Sequence, residues 1–431
     1  WPQYPTAAAA TRLVNKGVTV VASIGNECDL GTFAAGAPGV GKKVIGVASV
    51  DNTHFQSPYF EVEGVKIGYN EMSNADPAPT SGTEEIVFVG RGCAAEDATA
   101  TPPVPPGGDP YLVDPNGKVA LIVRGACSFR DKVLRAQAAG ATVAVVQNSG
   151  PGNFYGQLGE PDVAYPAVSI SGEDGAYIQG LEPVDLTWSD QMDSFPNPTG
   201  GYISDFSSYG LAADLSLKPD IAAPGGSIYS TYVMEKADYA TLGGTSMASP
   251  HVAGAAALLL EAHPNTPSQA VRRILQNSAD PLEWNLAPGS GLGESIHRQG
   301  AGLLDIDDSI LATTRIEPGK ISLGESEGAP AVHTITIENN GDADVTYDLT
   351  HEGYGDFIPG TNGMVATTGT FADYMEFWLS FDFVVMPPSV FVPAGGEATV
   401  DVTFVPDTWW EVDLSTYGGH ILFEPQGGGQ D

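Results

Sequence analysis

A serine stands where a glycine-rich turn becomes a helix, a position that could expose a nucleophile. Residues 243–254 read GGTSMASPHVAG, so Ser246 follows two glycines and precedes a run of small, helix-forming residues. The first N–H groups of a helix have no intrahelical partner and carry partial positive charge, which favours an oxyanion that forms beside the serine. Gly243 and Gly244 would also let the backbone approach a substrate closely. From these residues alone, a nucleophile and an ordinary helix cap both remain open.

The elements around this serine indicate an α/β domain. The segment SMASPHVAGAAALLLEA is apolar on nearly all sides, so we expect a helix that runs through a core rather than across a surface. Near the start of the chain, an alanine-rich segment that ends at Gly17 predicts a helix, and VTVVAS after it predicts a buried parallel strand. Because the chain starts within such an α/β unit, we expect residues that precede Trp1 to exist elsewhere.

Changes in composition divide the chain into segments. Residues 1–58 and 199–312 have α/β character, whereas residues 59–198 are rich in glycine, proline and strand-forming residues. Residues 313–431 alternate apolar and polar positions between turns that contain Asn-Gly, which predicts an antiparallel β-sandwich. The predicted fold is therefore an α/β domain in two segments, with a β-rich domain inserted between them and a β-sandwich at the C-terminal end.

The charge of the chain excludes some classes of partner. The 431 residues include 18 Lys and Arg and 53 Asp and Glu, which gives a net charge of −35. Such a surface repels nucleic acids and anionic membranes. No apolar run approaches the roughly 18 residues of a membrane span. We therefore expect neither a nucleic-acid nor a membrane partner.

The cysteines Cys28, Cys93 and Cys127 do not have the spacing of a metal site. An odd number permits one disulfide and one further thiol. Cys93 and Cys127 are the favoured pair because they flank one predicted β-rich segment. Cys28 could be catalytic in principle, but no histidine lies near it in a motif, which favours a structural thiol.

GTSMASPHVAG resembles the nucleophile motif of the subtilisin-like serine proteases (subtilases, family S8). Further resemblances to that family occur in order along residues 1–58 and 199–312. The middle segment resembles the protease-associated domain of the larger extracellular subtilases, and residues 313–431 are similar to the fibronectin-III-like domain that follows the peptidase in those enzymes. The additional matching motifs of the peptidase are VVASIGNE, ISDFSSYG, KPDIAAPG and GAGLLD, the last at residues 300–305.

This resemblance implies a secreted, extracellular serine endopeptidase that cleaves protein or peptide substrates. Ser246 would be the nucleophile that forms an acyl-enzyme, and Asn26 would donate its side-chain amide to the oxyanion. The large side chain of Ile24 would narrow or shape the S1 pocket. The residues that would contact the substrate are Ser23, Ile24, Gly25, Gly244 and Thr245.

The chain also departs from the family pattern. The family's aspartate lies in a D-[ST]-G motif and its histidine in an H-G-T-x-V-A-G motif, and neither motif occurs in the 431 residues. His251 follows Ser246 on the same helix, but the matching residue of the family packs rather than catalyses. We expect the aspartate and the histidine on an N-terminal fragment of the same protease, bound as a second chain, because half of a parallel sheet leaves an edge strand to be covered.

Two other interpretations use the same residues. The chain could be a non-catalytic binding protein on a subtilase scaffold, or an inactive remnant of a protease. No cofactor is expected. Acidic pairs such as Glu84 and Glu85 are interpreted as solvated surface. A calcium site would be the alternative use of such carboxylates, although no loop has EF-hand spacing.

Overall fold

The fold is described from a computed structural model, in which the chain divides into two compact units. One unit contains Ser246 and is called the serine unit; the other is called the insert unit. The serine unit comprises Trp1–Asn52, Gly201–Ile228 and Leu242–Asp431, and the insert unit comprises Thr53–Gly200 and Tyr229–Thr241. The structure describes residues 1–94, 103–150, 152–181, 183–234, 239–285, 288–325, 330–356, 384–405 and 416–427.

The helices that the structure describes all lie before residue 313, and the described elements after it are strands. The helices are α1 (Pro5–Val14), α2 (Phe129–Ala138), α3 (Gly172–Leu181), α4 (Thr245–Ala262), α5 (Ser268–Asn277), α6 (Ile296–Gln299) and α7 (Ile306–Leu311), with a 3₁₀ turn at Cys28–Leu30. The strands are β1 (Val21–Ser23), β2 (Ile45–Asp51), β3 (His54–Val62), β4 (Val65–Gly68), β5 (Asn70–Glu71), β6 (Ala75–Asp76), β7 (Thr83–Gly90), β8 (Val119–Val123), β9 (Ala144–Gln147), β10 (Val163–Ile170), β11 (Val184–Pro196), β12 (Ile221–Gly226), β13 (Ile228–Thr231), β14 (Tyr239–Leu242), β15 (Thr314–Glu317), β16 (Ala331–Asn339), β17 (Val345–Asp356), β18 (Val384–Val385), β19 (Ser389–Val392), β20 (Glu397–Phe404) and β21 (Thr416–Pro425).

The serine unit is built on a parallel sheet in the order β1-β2-β12. β2 is buried along nearly its whole length, as expected for a parallel strand with both faces covered. The sheet and its helices confirm the predicted α/β class. The core between the sheet and helices α4 and α5 contains Ile45, Val47, Ile221, Ala223, Val252, Leu259, Ile274 and Leu275.

Helix α4 is less enclosed than its composition predicts. One face packs on the sheet through residues such as Val252 and Leu259, but His251, Gly254 and Leu258 on another face are exposed, and Leu258 is 50% exposed. The expectation of a helix enclosed on all sides was therefore wrong for this face. Apolar composition did not predict it because alanine and glycine lose little free energy when they lie at a surface.

The insert unit contains a mixed sheet in the order β4-β3-β11-β7-β8-β9-β10-β5, with β6 paired to β10. Strands β7 to β10 are parallel, and α2 connects β8 to β9. Leu121 and Ile122 belong to separate cores, because neighbouring residues of a strand point to opposite faces. A disulfide joins Cys93 to Cys127 in this unit, whereas Cys28 is a partly exposed thiol outside the bond. Strand β3 runs across the predicted boundary between residues 58 and 59.

The described strands after residue 313 form two antiparallel sheets, β15-β16-β20-β18 and β19-β17-β21. Alternate residues of their strands point into one shared hydrophobic core, which explains the period of two in the sequence. Buried members of this core are Ile335, Ile337, Tyr347, Leu349, Val390, Val392, Val400 and Val402. Within the described parts of the chain, no helix is both long and apolar enough to cross a membrane.

Candidate active site

Ser246 lies in the first turn of α4 and its side chain is exposed. The residue that caps this helix is Gly244, and no side chain forms a cap hydrogen bond. Ser246 is therefore not the N-cap, which removes the ordinary explanation for a serine at a helix start. Its hydroxyl lies at the surface, beside the positive end of the longest described helix.

Asn26 lies in the loop that follows β1, and Thr245 fixes its side chain. Asn26 Oδ1 accepts hydrogen bonds from the N–H of Thr245 at 3.0 Å and from the Thr245 hydroxyl at 2.8 Å. The same hydroxyl accepts from the N–H of Gly25 at 3.3 Å. Because the amide oxygen is bound to Thr245, the amide nitrogen is the atom left for a ligand.

Gly244 lies close to two hydrogen-bond donors. A Cβ atom at this position would lie 3.3 Å from Asn26 Nδ2, 3.6 Å from the backbone nitrogen of Ser246 and 3.8 Å from Met247 Sδ. A side-chain amide and a backbone N–H that lie close together beside a nucleophile are the components of an oxyanion hole. The arrangement could therefore stabilise negative charge next to the Ser246 hydroxyl.

A second set of contacts holds the turn that carries Asn26. The Glu27 carboxylate accepts from the N–H of Asn26 at 2.8 Å and from the Ser208 hydroxyl at 3.0 Å. That hydroxyl accepts from the N–H of Glu27 at 2.9 Å, and the N–H of Ser208 donates to Gly25 O at 3.0 Å. Sequence reasoning missed the roles of Glu27 and Ser208, although both lie in motifs that carried the resemblance, VVASIGNE and ISDFSSYG.

The structure brings some of the predicted substrate-contact residues together and not others. Gly25, Gly244 and Thr245 meet around Asn26, but the Thr245 side chain is fully buried, so only its backbone could face a ligand. Ser23 is partly buried at the end of β1. Ile24 is 0% exposed and packs with Ala7 and Val40, so its side chain belongs to a core and does not narrow a cleft.

The other residues considered for catalysis or metal binding have partners within the protein. A ring nitrogen of His251 lies 3.0 Å from Met247 O, one helical turn earlier. Glu84 accepts from the Trp188 indole and Glu85 pairs with Lys118, so each of these carboxylates has a protein partner. In the ranges that the structure describes, no three His, Cys, Asp or Glu side chains come together as a metal site.

Comparisons with known proteins find a peptidase family and relatives that are described as proteases. A profile of the Subtilase family matches residues 2–302. The minor extracellular protease Vpr of Bacillus subtilis (strain 168) is 29% identical over 379 residues, which is 84% of this chain and 44% of that protein. The C5a peptidase of Streptococcus pyogenes serotype M3 is 30% identical over 357 residues, which is 76% of this chain and 29% of that protein.

Among solved structures, a psychrophilic subtilisin-like protease from the Antarctic psychrotroph Pseudoalteromonas sp. AS-11 aligns with a TM-score of 0.39 and 18% identity, over 72% of this chain and 67% of that chain. The chain spans less than half the length of the two curated relatives described above.

Proposed function

This chain belongs to the subtilase family, and we propose that it is the nucleophile-bearing part of a serine endopeptidase that hydrolyses peptide bonds. The observation that carries the proposal is that Asn26 Nδ2 and the N–H of Ser246 both lie close to Gly244, at the start of the helix that carries the exposed Ser246. Protease names among the relatives support the same reaction class.

The proposed reaction follows from the chemistry of a serine hydroxyl. A histidine removes its proton while Ser246 Oγ attacks the carbonyl carbon of the substrate, and a carboxylate orients that histidine. The carbonyl oxygen gains negative charge, and Asn26 Nδ2 and the N–H of Ser246 donate to it. The histidine then protonates the leaving amine. Water hydrolyses the resulting acyl-enzyme by the same steps in reverse.

The histidine and the aspartate are proposed to come from outside residues 1–431, because the family's motifs for them are absent from this sequence. An N-terminal fragment of the same protease, bound as a second chain, would supply both. The exposed face of α4 with His251, Gly254 and Leu258 supports a binding surface for such a fragment beside Ser246.

The finer assignments are also proposals. The insert unit is proposed to be a protease-associated domain, which its β8-α2-β9 unit supports. The region after residue 313 is proposed to be a fibronectin-III-like domain, which its two antiparallel sheets support. Secretion is supported by the Cys93–Cys127 disulfide, since such bonds persist in oxidising compartments, and by a relative described as extracellular.

A fluorophosphonate probe tests the proposed function. These probes react with a serine that is activated by a base and an oxyanion hole, and the labelled residue is located by peptide mass spectrometry. The protein is tested as isolated with any bound fragment, beside a known active serine protease. The matched variants are Ser246→Ala and Ser249→Ala, a change of the next serine on the same helix.

We expect label on Ser246 in the unmodified protein and in Ser249→Ala, and none in Ser246→Ala. If the known protease is labelled and Ser246 is not, the chain is an inactive remnant or a non-catalytic binding protein, and the proposal fails.

A further inference from the structure

Asp220 places a carboxylate in a fully buried position directly before β12. A buried carboxylate is tolerated only when it is paired and hydrogen-bonded. One of its oxygens, Oδ2, accepts from Lys218 Nζ at 2.5 Å and from the N–H of Gly46 at 2.8 Å. Both of these donors belong to the sheet region of the serine unit.

The other oxygen of Asp220 is satisfied by Lys320. Lys320 Nζ donates to Asp220 Oδ1 at 2.6 Å and to Leu217 O at 2.6 Å. Arg272 Nη1 is farther from the same oxygen, at 3.6 Å. Burial alone would raise the pKa of Asp220, but the charges of Lys218, Lys320 and Arg272 outweigh it and hold that pKa below its usual range.

Lys320 comes from a different part of the chain. It lies between β15 and β16, 100 residues after Asp220, in the region that builds the antiparallel sheets. A second contact from that region lies next to the first. His420 of β21 donates from Nε2 to Gly300 O at 3.0 Å, and the adjacent N–H of Ala301 donates to Asp220 O at 3.2 Å. We call Asp220, Gly300, Lys320 and His420 the Asp220 seam.

We propose that the Asp220 seam is a docking surface on which the region after residue 312 becomes a structural part of the serine unit, with Lys320 as the donor that satisfies both Asp220 Oδ1 and Leu217 O. The donor role, rather than the added positive charge, is the basis of the proposal. Lys218 and Arg272 already lie near the carboxylate of Asp220, and a further cation repels them both. Without Lys320, Asp220 Oδ1 and Leu217 O lose the donor at hydrogen-bond distance, and a buried carboxylate oxygen without its donor is destabilising. The proposal is independent of the peptidase activity.

Thermal unfolding of the whole protein tests the proposal with three variants of one residue and a control. Lys320→Met removes the donor, Lys320→Gln keeps a neutral donor, and Lys320→Arg keeps a charged one. Lys42→Met is the control, because Lys42 belongs to the same unit and its side chain is 66% exposed in a 3.6 Å ion pair with Asp214. We expect a loss in Tm of about 5–10 °C for Lys320→Met and a smaller loss for Lys320→Gln. Lys320→Arg and Lys42→Met should stay within about 2 °C of the unmodified protein.

Hydrogen exchange tests whether the loss of stability comes from weaker packing of the region after residue 312 on the Asp220 seam. We expect Lys320→Met to raise deuterium uptake in peptides from residues 217–226 and also from residues 416–425, which are distant in sequence from the substitution. A Tm equal to that of Lys42→Met, or a rise in uptake confined to residues 314–323, would overturn the proposal. If Lys320→Met does not accumulate as folded protein, Lys320→Gln is judged by the same criteria.

Discussion

The two ends of β12 contrast in how their polar groups are used. At the start of the strand, Asp220 is fully buried and both of its carboxylate oxygens accept hydrogen bonds from the chain itself. At the other end, Gly225 O accepts from the N–H of Gly244 at 2.8 Å, and beyond this bond Asn26 and Ser246 lie at the exposed surface. We call these the closed end and the open end of β12.

The contrast separates stability from activity along a single strand. At the closed end the polar groups are matched to one another and buried, so their loss should lower the free energy of unfolding. At the open end the two donors lie beside the exposed residue Ser246, so their loss should lower a rate far more than it lowers stability. Substitutions at each end test whether stability and activity depend on different ends of the strand.

The largest expected effect is on the rate, from Asn26→Ala at the open end. Removing one side-chain donor of an oxyanion hole lowers kcat by about 10²- to 10³-fold, a magnitude known from subtilisin itself. We expect this loss in kcat with little change in KM, because the donor acts mainly on charge that develops in the transition state. Steady-state kinetics with a peptide substrate measure it, and the Tm should fall by only a few degrees, because the variant also removes the bonds that the N–H and the hydroxyl of buried Thr245 donate to Asn26 Oδ1. A variant that kept its kcat would show that Asn26 is not the oxyanion donor.

The next effect compares glycines at the two ends. Gly244→Ala would place a Cβ 3.3 Å from Asn26 Nδ2 and 3.6 Å from the backbone nitrogen of Ser246, against both donors. We expect the labelling rate of Ser246 to fall by about 10²-fold, the scale of a displacement of about 1 Å among reacting groups. Gly300→Ala is the matched change at the closed end, where the φ angle is +68° and the added Cβ would lie 2.6 Å from the carbonyl carbon of Asp220.

Gly300→Ala should lower the Tm by several degrees, because an alanine with a positive φ angle is strained and the adjacent backbone must move. The labelling rate per folded molecule should be unchanged. If both alanine variants lost labelling equally, the two ends of β12 would not be separate in function.

The open end could be located from sequence, and most of the closed end could not. The turn and helix around Ser246 depend on residues that are neighbours in the sequence, so the local sequence pattern predicts them. The position of Asn26 followed from a motif only. The bond between Lys320 and Asp220 joins a loop to a strand start 100 residues away, and a single lysine in a loop has no periodicity that would indicate its partner.

The sequence could not predict the side-chain directions near the site, for a related reason. Ile24 follows β1 directly, and the sequence around it does not show whether its large side chain faces a cleft or the core that contains Ala7. The exposed face of α4 is a similar case, because apolar spacing predicts a helix but does not identify the segment that packs on each face.

The smallest expected effect concerns pH and tests whether the closed end is a docked seam. Burial lowers the pKa of His420 below its usual 6.5; the nearby His351 lowers it further, whereas the bond to Gly300 O and the charge of Glu352 oppose the shift. Between pH 6.5 and the lower pKa of the folded state, the unfolded chain binds a proton that folded His420 does not. The free energy of unfolding should therefore fall as the pH decreases through 6.5.

The measurement is the Tm from pH 8 to pH 5 for the unmodified protein and for His420→Gln. Glutamine can donate an amide hydrogen to Gly300 O and has no proton to gain in this range, and every other side chain is the same in the two proteins. We therefore expect the difference between the two Tm values to be constant above about pH 7. Below about pH 6.5, the Tm of the unmodified protein should fall more than the Tm of His420→Gln. A difference that stays constant down to pH 5 would show that burial of His420 at the closed end does not oppose its protonation, and the seam would then be a hydrated contact rather than a buried one.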